Sequence, residues 1–346
     1  MAEHLNSITS GQLLVEVRDP SDVAEVRRAA GRLASTEDLT DIESGNVALV
    51  ATELATNLIK HAKQGRMIMR LIEPGQDTGV EILALDSGPG IKDVAQSMRD
   101  GYSTAGSSGN GFGAIKRLAS QFDVHSIPGK GTAILARFWA GRPRPAPRAG
   151  IEFGVVNLPM PGQEISGDGW GVEDLQDKYI CTVVDGLGHG PDAAIAARAA
   201  LATAKEYRDK TPAEMIERAH GSLRSTRGAA MAVAAVDLAA NIVCYCAVGN
   251  ISTTIVHKEQ IRHLVSLNGI VGQEARKITE FTYPWSRESL LVMHSDGLTA
   301  RWDLKAYPAL VQRDPALIAG VLYRDLSRGR DDATVLVARE TDDPSL

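Results

Sequence analysis

The chain has 346 residues, about twice the usual size of one domain, so its length predicts two domains. Hydrophobic residues make up 44% and charged residues 23%, a balance too apolar for a disordered chain. The net charge of −6 and an aromatic content of 5% disfavour a nucleic-acid binder, which needs a basic surface and stacking rings.

Targeting signals and cysteine usage both favour the reducing cytoplasm. The first residues, MAEHLNSITSG, lack the basic and then apolar pattern of a secretory signal. No run approaches the roughly 20 apolar residues that a membrane span needs. Cys181, Cys244 and Cys246 have neither the number nor the spacing of a disulfide framework or a zinc site. We therefore expect a cytoplasmic protein without a membrane contact.

A proline- and arginine-rich stretch, WAGRPRPAPRAG at 139–150, divides the chain. Prolines at alternate positions prevent a helix and remove the donors of a sheet ladder, so an extended, semi-rigid spacer is expected. We predict one domain at 1–140, a linker at 141–150 and a second domain at 151–346.

The first domain is predicted to contain three helices and three strands. Apolar residues recur at helical spacing in two long segments, and short apolar runs indicate the strands. The helices are expected at 21–35, 44–63 and 111–121, and the strands at 66–72, 80–86 and 132–138.

Strands outnumber helices in the second domain, and several are joined without an intervening helix. This pattern favours an α+β layered sandwich over a doubly wound parallel sheet. The strands are expected at 152–157, 179–185, 229–237, 242–248, 289–296 and 333–339, and the helices at 190–206, 212–225 and 314–326.

Several polar residues of the first domain have the chemistry of a nucleotide site. Glu53 and Asn57 lie four positions apart on the second predicted helix and so share one face. Asp86 ends a strand and is followed by Gly88 and Gly90, which allow a close turn. A carboxylate accepts a hydrogen bond from the amine of adenine, an amide oxygen suits magnesium, and Glu53 can polarise a hydroxyl near the terminal phosphate.

Two glycine-containing phrases complete this set. Gly109, Gly111 and Gly113 precede a predicted helix in GNGFG, where main-chain N–H groups form an anion site. Thr132 lies in GKGT, which leads into a strand. Each signal alone is also typical of an ordinary loop or a solvent-facing helix, and only their joint order favours a nucleotide site.

That order resembles the GHKL ATPase superfamily over roughly residues 10–138: an E-x-x-x-N helix, a D-x-G-x-G strand end, a glycine-rich loop and a late G-x-T. The phrase ATELATNLIKHA is most similar to bacterial anti-sigma-factor serine kinases and their switch-kinase relatives. The resemblance implies a GHKL (Bergerat-like) α/β sandwich that binds ATP with Mg²⁺. It assigns the base to Glu53, magnesium to Asn57 and adenine to Asp86. The serine-rich loop GYSTAGSSGNGFG departs from the family pattern, so its glycines do not align one by one.

In the second domain, aspartates stand at strand ends, each beside a glycine or another aspartate. Converging carboxylates repel one another, so a cation must lie between them, and an all-oxygen ligand set suits magnesium or manganese. A single Asp-Gly pair is usually a turn, but four acidic positions flanked by strands favour a metal centre. The residues are Asp168 in SGDGWG, Asp185 in VVDGLGHG, Asp296 in HSDGLT, and Asp331 with Asp332 in GRDDAT.

These phrases resemble, over roughly residues 151–340, the metal-dependent 2C-type protein phosphatases, in the bacterial branch that includes the stage II sporulation phosphatase. The resemblance implies a β-sandwich flanked by helices and two Mn²⁺ or Mg²⁺ ions, which activate a water for attack on phosphoserine or phosphothreonine. It implies that Asp185 bridges both ions, that Gly186 and Asp168 serve one of them, and that Asp296 and Asp331 hold the other.

At two positions of the phosphatase-like half, the sequence leaves alternative assignments open. Asp331 is preferred to Asp332 because the family's ligand stands three residues before the threonine, here Thr334. His189 can protonate the leaving oxygen or simply begin the following helix. No arginine is evident for the substrate phosphate, and the short stretch between Asp296 and Asp331 leaves little room for an inserted recognition element.

Together the two resemblances predict one polypeptide with opposed activities. The first domain is expected to phosphorylate, and the second to dephosphorylate, a serine or threonine of a STAS-domain antagonist protein in a bacterial stress-response partner switch. A sigma factor is a further expected partner. The alternative is a phosphatase fused to an ATP-binding module that holds a sigma factor or antagonist without phosphoryl transfer.

Overall fold

A computed structural model describes residues 11–35, 39–62, 65–72, 78–97, 111–141, 150–176, 178–258, 260–275, 277–303 and 306–341. Contacts divide these residues into two compact units. The N-terminal unit holds the described residues up to 141 together with Tyr307–Arg324, and the C-terminal unit holds the others. The N-terminal unit thus includes a segment that lies far along the chain.

The predicted division at 141–150 stays a prediction, because residues 142–149 lie outside the described part of the chain. The contacts add one point that the sequence did not suggest. Residues Tyr307–Arg324, which the sequence analysis placed within the second domain, pack with the first. We refer to them as the 307–324 segment.

The N-terminal unit is built on one antiparallel sheet of five strands in the order β1-β2-β3-β5-β4. Its predicted helices and strands are present, and β1 and β4 are additional. The elements are β1 (Leu13–Val17), α1 (Pro20–Ser35), α2 (Asp41–His61), β2 (Gly65–Ile72), β3 (Gly79–Asp86), α3 (Val94–Ser97), α4 (Gly111–Leu118), β4 (Gln121–Ile127) and β5 (Gly131–Trp139).

Helix α2 begins three residues before its predicted start because Thr40 caps it. The Thr40 hydroxyl accepts the N–H of Glu43, and the Glu43 carboxylate accepts the N–H of Thr40 at 2.8 Å. This capping box satisfies two main-chain donors that the first turn would otherwise leave free. The helix then runs to His61, so Glu53 and Asn57 lie in its second half.

The sheet of the N-terminal unit is buried on both faces. Ile82 and Phe138 belong to the face that packs against the helices, in one core with Val26 of α1 and Leu54 of α2. Leu83 points to the opposite face, because neighbouring residues of a strand alternate. There it meets the 307–324 segment, which carries most of α7 (Pro315–Leu326): a methyl group added to Gly320 would lie 3.5 Å from Leu83 Cδ1.

The C-terminal unit contains two antiparallel five-stranded sheets, in the orders β13-β10-β9-β8-β7 and β12-β11-β14-β15-β6. Its elements are β6 (Gly150–Leu158), β7 (Asp168–Asp174), β8 (Lys178–Gly186), α5 (Pro191–Glu206), α6 (Pro212–Ser222), β9 (Ala229–Asp237), β10 (Ile242–Val248), β11 (Ser252–His257), β12 (Gln260–His263), β13 (Phe281–Pro284), β14 (Ser289–His294) and β15 (Ala333–Thr341). Strands β7, β11, β12 and β13 were not among the predicted strands.

The two sheets of the C-terminal unit pack face to face, with a core that includes Val183 and Tyr245 from one sheet and Leu291 and Leu336 from the other. Helices α5 and α6 cover the outer face of the β8–β10 sheet, where Ala200 and Met215 meet buried strand residues. The result is the β-sandwich flanked by helices that the sequence predicted. Within the described residues, no helix has the length and apolar character needed to cross a bilayer.

A buried network of charges holds the 307–324 segment to the sheet of the N-terminal unit. Arg137 on β5 donates to both carboxylate oxygens of Asp314, at 2.6 and 2.9 Å, and to Glu81 at 2.7 Å. Glu81 also accepts from Arg70 at 2.6 Å. Burial by itself would raise the pKa of Glu81, but Arg70 and Arg137 lower that pKa to about 2. Glu81 therefore stays charged between the two arginines.

Replacing Asp314 by alanine leaves Arg137 short of one buried partner, and we expect a loss of about 3 kcal/mol in the unfolding free energy of the N-terminal unit. Native-state hydrogen exchange of the β4 and β5 amides measures this loss. The control is Glu288→Ala, which breaks an exposed pair with Lys258 and is expected to cost less than about 1 kcal/mol. Equally small losses of unfolding free energy in both variants would contradict the proposed contribution of the buried network to stability.

Candidate functional site

Glu53 and Asn57 occupy one face of α2, and both side chains are half-buried. The Nδ2 atom of Asn57 is buried, and within the described residues it has no hydrogen-bond partner. An unpaired buried amide costs about 1–3 kcal/mol. The partner that Nδ2 lacks is a hydrogen-bond acceptor, which an oxygen of a bound ligand would supply. The amide oxygen of the same side chain is a ligand that suits magnesium.

Asp86 lies at the end of β3 with its carboxylate held in one orientation. Its Oδ1 accepts the N–H of Gly88 at 2.7 Å and the N–H of Thr132 at 3.1 Å. Burial raises the pKa of Asp86, although these two N–H groups and the charge of Arg324 act against the rise. Both bonds use Oδ1, so Oδ2 takes neither of them, and the assignment of Asp86 to adenine stays a prediction.

The loop after Asp86 is locked against the turn between β4 and β5. The N–H of Ile91 donates to Ser126 Oγ at 2.8 Å, and Ser126 Oγ lies 2.9 Å from Thr132 Oγ1. Gly90 has a φ of +69°, and a methyl group there would collide with the carbonyl of Ile127. Asp86, Gly88, Gly90 and Thr132 are thus brought together as one cradle, and Ser126, which no motif marked, is part of it.

The glycine-rich loop is only partly described. Gly109 lies outside the described residues. Gly111 is the first residue of α4, and Gly113, in the same helix, is buried. The assignment of these glycines to phosphate binding stays a prediction.

In the C-terminal unit, strand pairing brings two predicted metal ligands together. The antiparallel register of β7 and β8 places Asp168 directly opposite Asp185. Gly186 follows on β8, where its N–H donates to the carbonyl of Gly167 at 3.1 Å. A methyl group on Gly186 would lie 2.8 Å from that same carbonyl oxygen and would collide with the carbonyl of Ala193. Only glycine fits this close approach.

Asp296 follows β14 and is held beside the start of β15. Ser295 and Thr334 exchange two bonds: the N–H of Ser295 donates to the Thr334 carbonyl at 3.1 Å, and the N–H of Thr334 donates to Ser295 Oγ at 3.0 Å. The side chains of Ser295 and Thr334 also hydrogen-bond to Asp168. Asn250 Nδ2 donates to Asp296 Oδ2 at 2.8 Å. Ser295 and Asn250 are supporting residues that the sequence analysis missed, since a lone polar residue carries no spacing signal.

The two adjacent aspartates 331 and 332 have different surroundings. Asp332 is 2% exposed, and its two carboxylate oxygens accept the N–H groups of Met160 at 2.7 Å and Gly167 at 2.8 Å. Asp331 is half-buried, and its Oδ1 accepts the N–H of Asp332 at 3.0 Å. Asp332 is therefore committed to holding the loop that precedes β7, which favours Asp331 as a ligand.

The aspartates act on one another electrostatically. Burial raises the pKa of Asp185, and the carboxylates of Asp168, Asp296, Asp331 and Asp332 raise that pKa further. Burial also raises the pKa of Asp168, against the hydrogen bonds it accepts. The Oδ2 atom of Asp168 is buried and has no hydrogen-bond partner in the described residues.

A divalent cation fits this donor set. It would relieve the repulsion between the carboxylates and give the orphaned Asp168 oxygen a partner. Within the described residues, no three acidic, histidine or cysteine side chains are already arranged around one point as ligands. Water molecules would have to complete the coordination, as is usual for magnesium.

Two further residues stand at the edge of this cluster. His189 is exposed, two residues before α5 begins, and its charge lowers the pKa of Asp332, so both predicted roles for it stay open. Arg227, which the sequence analysis did not select, pairs with Asp192 at 2.5 Å. Its Nη1 lies 3.1 Å from the position of a methyl group on Gly188, three residues after Asp185.

Known proteins match the two halves of the chain separately. Residues 17–138 match the family "Histidine kinase-like ATPase domain", and residues 176–341 match "Stage II sporulation protein E (SpoIIE)". The serine/threonine-protein kinase RsbT of Bacillus subtilis (strain 168) is 30% identical over 128 residues, which are 37% of this chain and 96% of RsbT.

The chain joins a histidine kinase-like ATPase domain to a SpoIIE-family phosphatase domain.

Two more relatives agree with the second half of this assignment. The phosphoserine phosphatase RsbX of Bacillus subtilis (strain 168) is 26% identical over 150 residues, covering 43% of this chain and 75% of RsbX. The solved PP2C phosphatase domain of SpoIIE from Bacillus subtilis, with a fragment of its regulatory domain, has a TM-score of 0.50 at 18% identity and covers 94% of this chain and 95% of that one. The latter likeness shows the fold alone. The predicted fold class, an α/β sandwich of GHKL type followed by a 2C-type β-sandwich, is confirmed.

The roles of Asp331 and Asp332 are separable by experiment. We expect Asp331→Asn to lower the affinity for Mn²⁺ at least about tenfold with little change in Tm, because it removes charge without breaking the fold. Asp332→Asn turns an amide N–H₂ toward a main-chain N–H of the loop, so it is expected to lower Tm. Calorimetric titration with Mn²⁺ and thermal unfolding measure the two effects. A loss of affinity confined to Asp332→Asn would contradict the assignment.

The aspartate cluster also predicts a dependence on pH. Because the pKa values of Asp168 and Asp185 are raised in the folded protein, the folded state binds more protons than the unfolded chain above about pH 4. We therefore expect the Tm of the metal-free protein to fall as pH rises from about 5 to 9. Binding of Mn²⁺ should release protons and stabilise the protein more at high pH than at low pH. Scanning calorimetry in EDTA, and Mn²⁺ titrations in two buffers of different ionisation enthalpy, test both points; a constant Tm without proton release would contradict them.

Proposed function

We propose that this chain is a bifunctional regulator that both adds and removes a phosphoryl group on serine or threonine of a partner protein. The observation that carries the proposal is the presence of two separate polar sites in one chain, one arranged for adenine and one for divalent cations. The relatives have matching and opposed activities, since RsbT is a protein kinase and RsbX is a phosphoserine phosphatase. The partner class that suits both is a STAS-type antagonist protein of a stress-response partner switch.

In the ATPase domain, transfer requires a base beside the terminal phosphate of ATP. Glu53 is half-buried on the same face of α2 as Asn57, one turn away, so it can accept the proton of a substrate hydroxyl while Asn57 holds magnesium. Asp86 orients the nucleotide through its adenine amine. Since ATP is the phosphate donor, the reaction belongs in the cytoplasm, where ATP is present.

In the phosphatase domain, Asp185 would hold Mn²⁺ or Mg²⁺ ions together with its neighbours. Asp168 and the Gly186 carbonyl would serve one ion, and Asp296 and Asp331 the other. Bound ions supply an activated water and neutralise the charge that develops on the phosphoryl oxygens. The protein holds the carboxylates: Ser295 and Thr334 orient Asp168, and Asn250 orients Asp296.

Two substitutions separate the activities. Glu53→Gln is expected to slow phosphoryl transfer from ATP by about 10²–10⁴-fold while leaving phosphatase activity unchanged. Asp185→Asn is expected to lower Mn²⁺-dependent hydrolysis of a phosphoserine substrate at least about a hundredfold while leaving transfer unchanged. Mass spectrometry of a STAS-domain protein incubated with ATP, and of its phosphorylated form incubated with Mn²⁺, measures both reactions.

Matched controls are available on the same elements. Glu25→Gln changes an exposed carboxylate of the neighbouring helix α1, and Asp174→Asn changes the aspartate at the opposite end of β7 from Asp168. Both controls should behave as wild type. If the wild-type protein binds ATP and a partner but transfers no phosphoryl group, the first domain is instead a non-catalytic binding module for an antagonist or sigma factor, and only the phosphatase half of the proposal stands.

A further inference from the structure

In sequence, the 307–324 segment lies between two proposed metal ligands of the C-terminal unit, Asp296 and Asp331. Main-chain hydrogen bonds within the C-terminal unit join the two stretches that flank this segment. The N–H of Thr299 donates to the Leu326 carbonyl at 2.9 Å, and the N–H of Arg328 donates to the Gly297 carbonyl at 2.8 Å. The chain that directly follows the segment is therefore hydrogen-bonded to the residues that directly follow Asp296.

The segment is attached to the ATPase domain by buried groups, not by a few surface contacts. Besides the Arg137 pair, the main-chain N–H of Asp314 donates to Asp123 Oδ2 at 2.8 Å. Gln121 Nε2 donates to Asp314 Oδ2 at 2.7 Å, and His125 Nε2 lies 3.1 Å from the Pro308 carbonyl. Breaking a buried pair of this kind is strongly unfavourable, so the segment belongs to the sheet formed by β3, β4 and β5.

At its far end the segment contacts the adenine cradle itself. Arg324 Nη1 donates to the main-chain carbonyl of Asp86 at 3.0 Å. The side chain of the same Asp86 is the group oriented by Gly88 and Thr132. Arg324 thus fixes the peptide that carries the predicted adenine acceptor.

We propose that Arg324 is a positioning residue for adenine recognition by Asp86. The inference rests on the proposed function of the first domain. A nucleotide that engages Asp86 stabilises the arrangement in which Arg324 donates to the Asp86 carbonyl.

Adenine and guanine separate a positioning role from a general structural one. Adenine presents an amine donor to Asp86, whereas guanine presents a carbonyl oxygen at the same ring position, which a carboxylate repels. Loss of Arg324 should therefore weaken binding of the adenine nucleotide selectively. A loosened fold would weaken both nucleotides alike.

The first experiment measures binding of methylanthraniloyl-ADP and methylanthraniloyl-GDP to the full chain in EDTA, by fluorescence. We expect Arg324→Met to weaken ADP binding at least about fivefold and GDP binding less than about twofold, with Arg324→Lys recovering part of the loss. The matched control is Arg66→Met, which removes an arginine placed 5.8 Å over the ring of Tyr323 in the same helix without touching Asp86. It should leave the ratio of the two affinities unchanged.

The second experiment follows hydrogen exchange of the α7 amides in the wild-type chain, a readout that does not depend on activity. We expect this exchange to slow when ADP is added, and we expect the effect to be lost in Arg324→Met.

The outcomes are distinguishable. Equal losses of ADP and GDP binding in Arg324→Met, or no loss of either, would overturn the positioning role. A wild-type chain that binds neither nucleotide, with Mg²⁺ present as well as in EDTA, would overturn the proposed function of the first domain and this inference with it.

Discussion

Repulsion between buried carboxylates is the constraint on which the phosphatase domain depends. Asp168 and Asp185 face each other across β7 and β8, and three more aspartates act on Asp185. Burial, and then the neighbouring carboxylates, raise the pKa values of Asp168 and Asp185, so without a cation both side chains keep their protons to a higher pH than an exposed aspartate does. The fold keeps them together all the same, because strand pairing and main-chain hydrogen bonds fix their positions independently of their charge state. The folded protein therefore carries an unfavourable electrostatic free energy, which bound divalent ions would offset.

In the ATPase domain, main-chain hydrogen bonds orient a single carboxylate, that of Asp86. Two N–H donors converge on one oxygen of Asp86, and glycines at 88 and 90 allow the neighbouring chain to approach closely. The other oxygen, Oδ2, takes neither bond and can accept a hydrogen bond from a ligand. A kinase and a phosphatase on one chain would share a high effective concentration of partner protein, and their net effect would depend on which of them is active.

The 307–324 segment belongs to the ATPase domain by its contacts, although it lies within the phosphatase half in sequence. It is flanked by proposed metal ligands along the chain, yet its buried charge pairs and the bond from Arg324 are made to the ATPase domain.

The sequence by itself determined the family of each domain, most helices and strands, and the identity of the acidic and glycine residues. It could do so because these features have local spacing: four residues on a helix, a carboxylate before a glycine, an apolar run of strand length. It missed β1, β4, β7 and the short strands β11–β13, whose residues alternate weakly and are stabilised by their neighbours in the sheet. The start of α2 was misplaced because the cap at Thr40 was not used.

Other features were decided only by the tertiary structure. Asp331 and Asp332 are indistinguishable as neighbours in sequence, and only the N–H groups of Met160 and Gly167 show that Asp332 is already engaged. Ser126, Ser295 and Asn250 became part of the sites through partners distant in the chain. The association of residues 307–324 with the ATPase domain depends on Arg137 and Asp314, which are 177 positions apart. Pairings of this length leave no periodicity in a single sequence, so only the folded chain, in which burial makes an unpaired charge costly, brings them together.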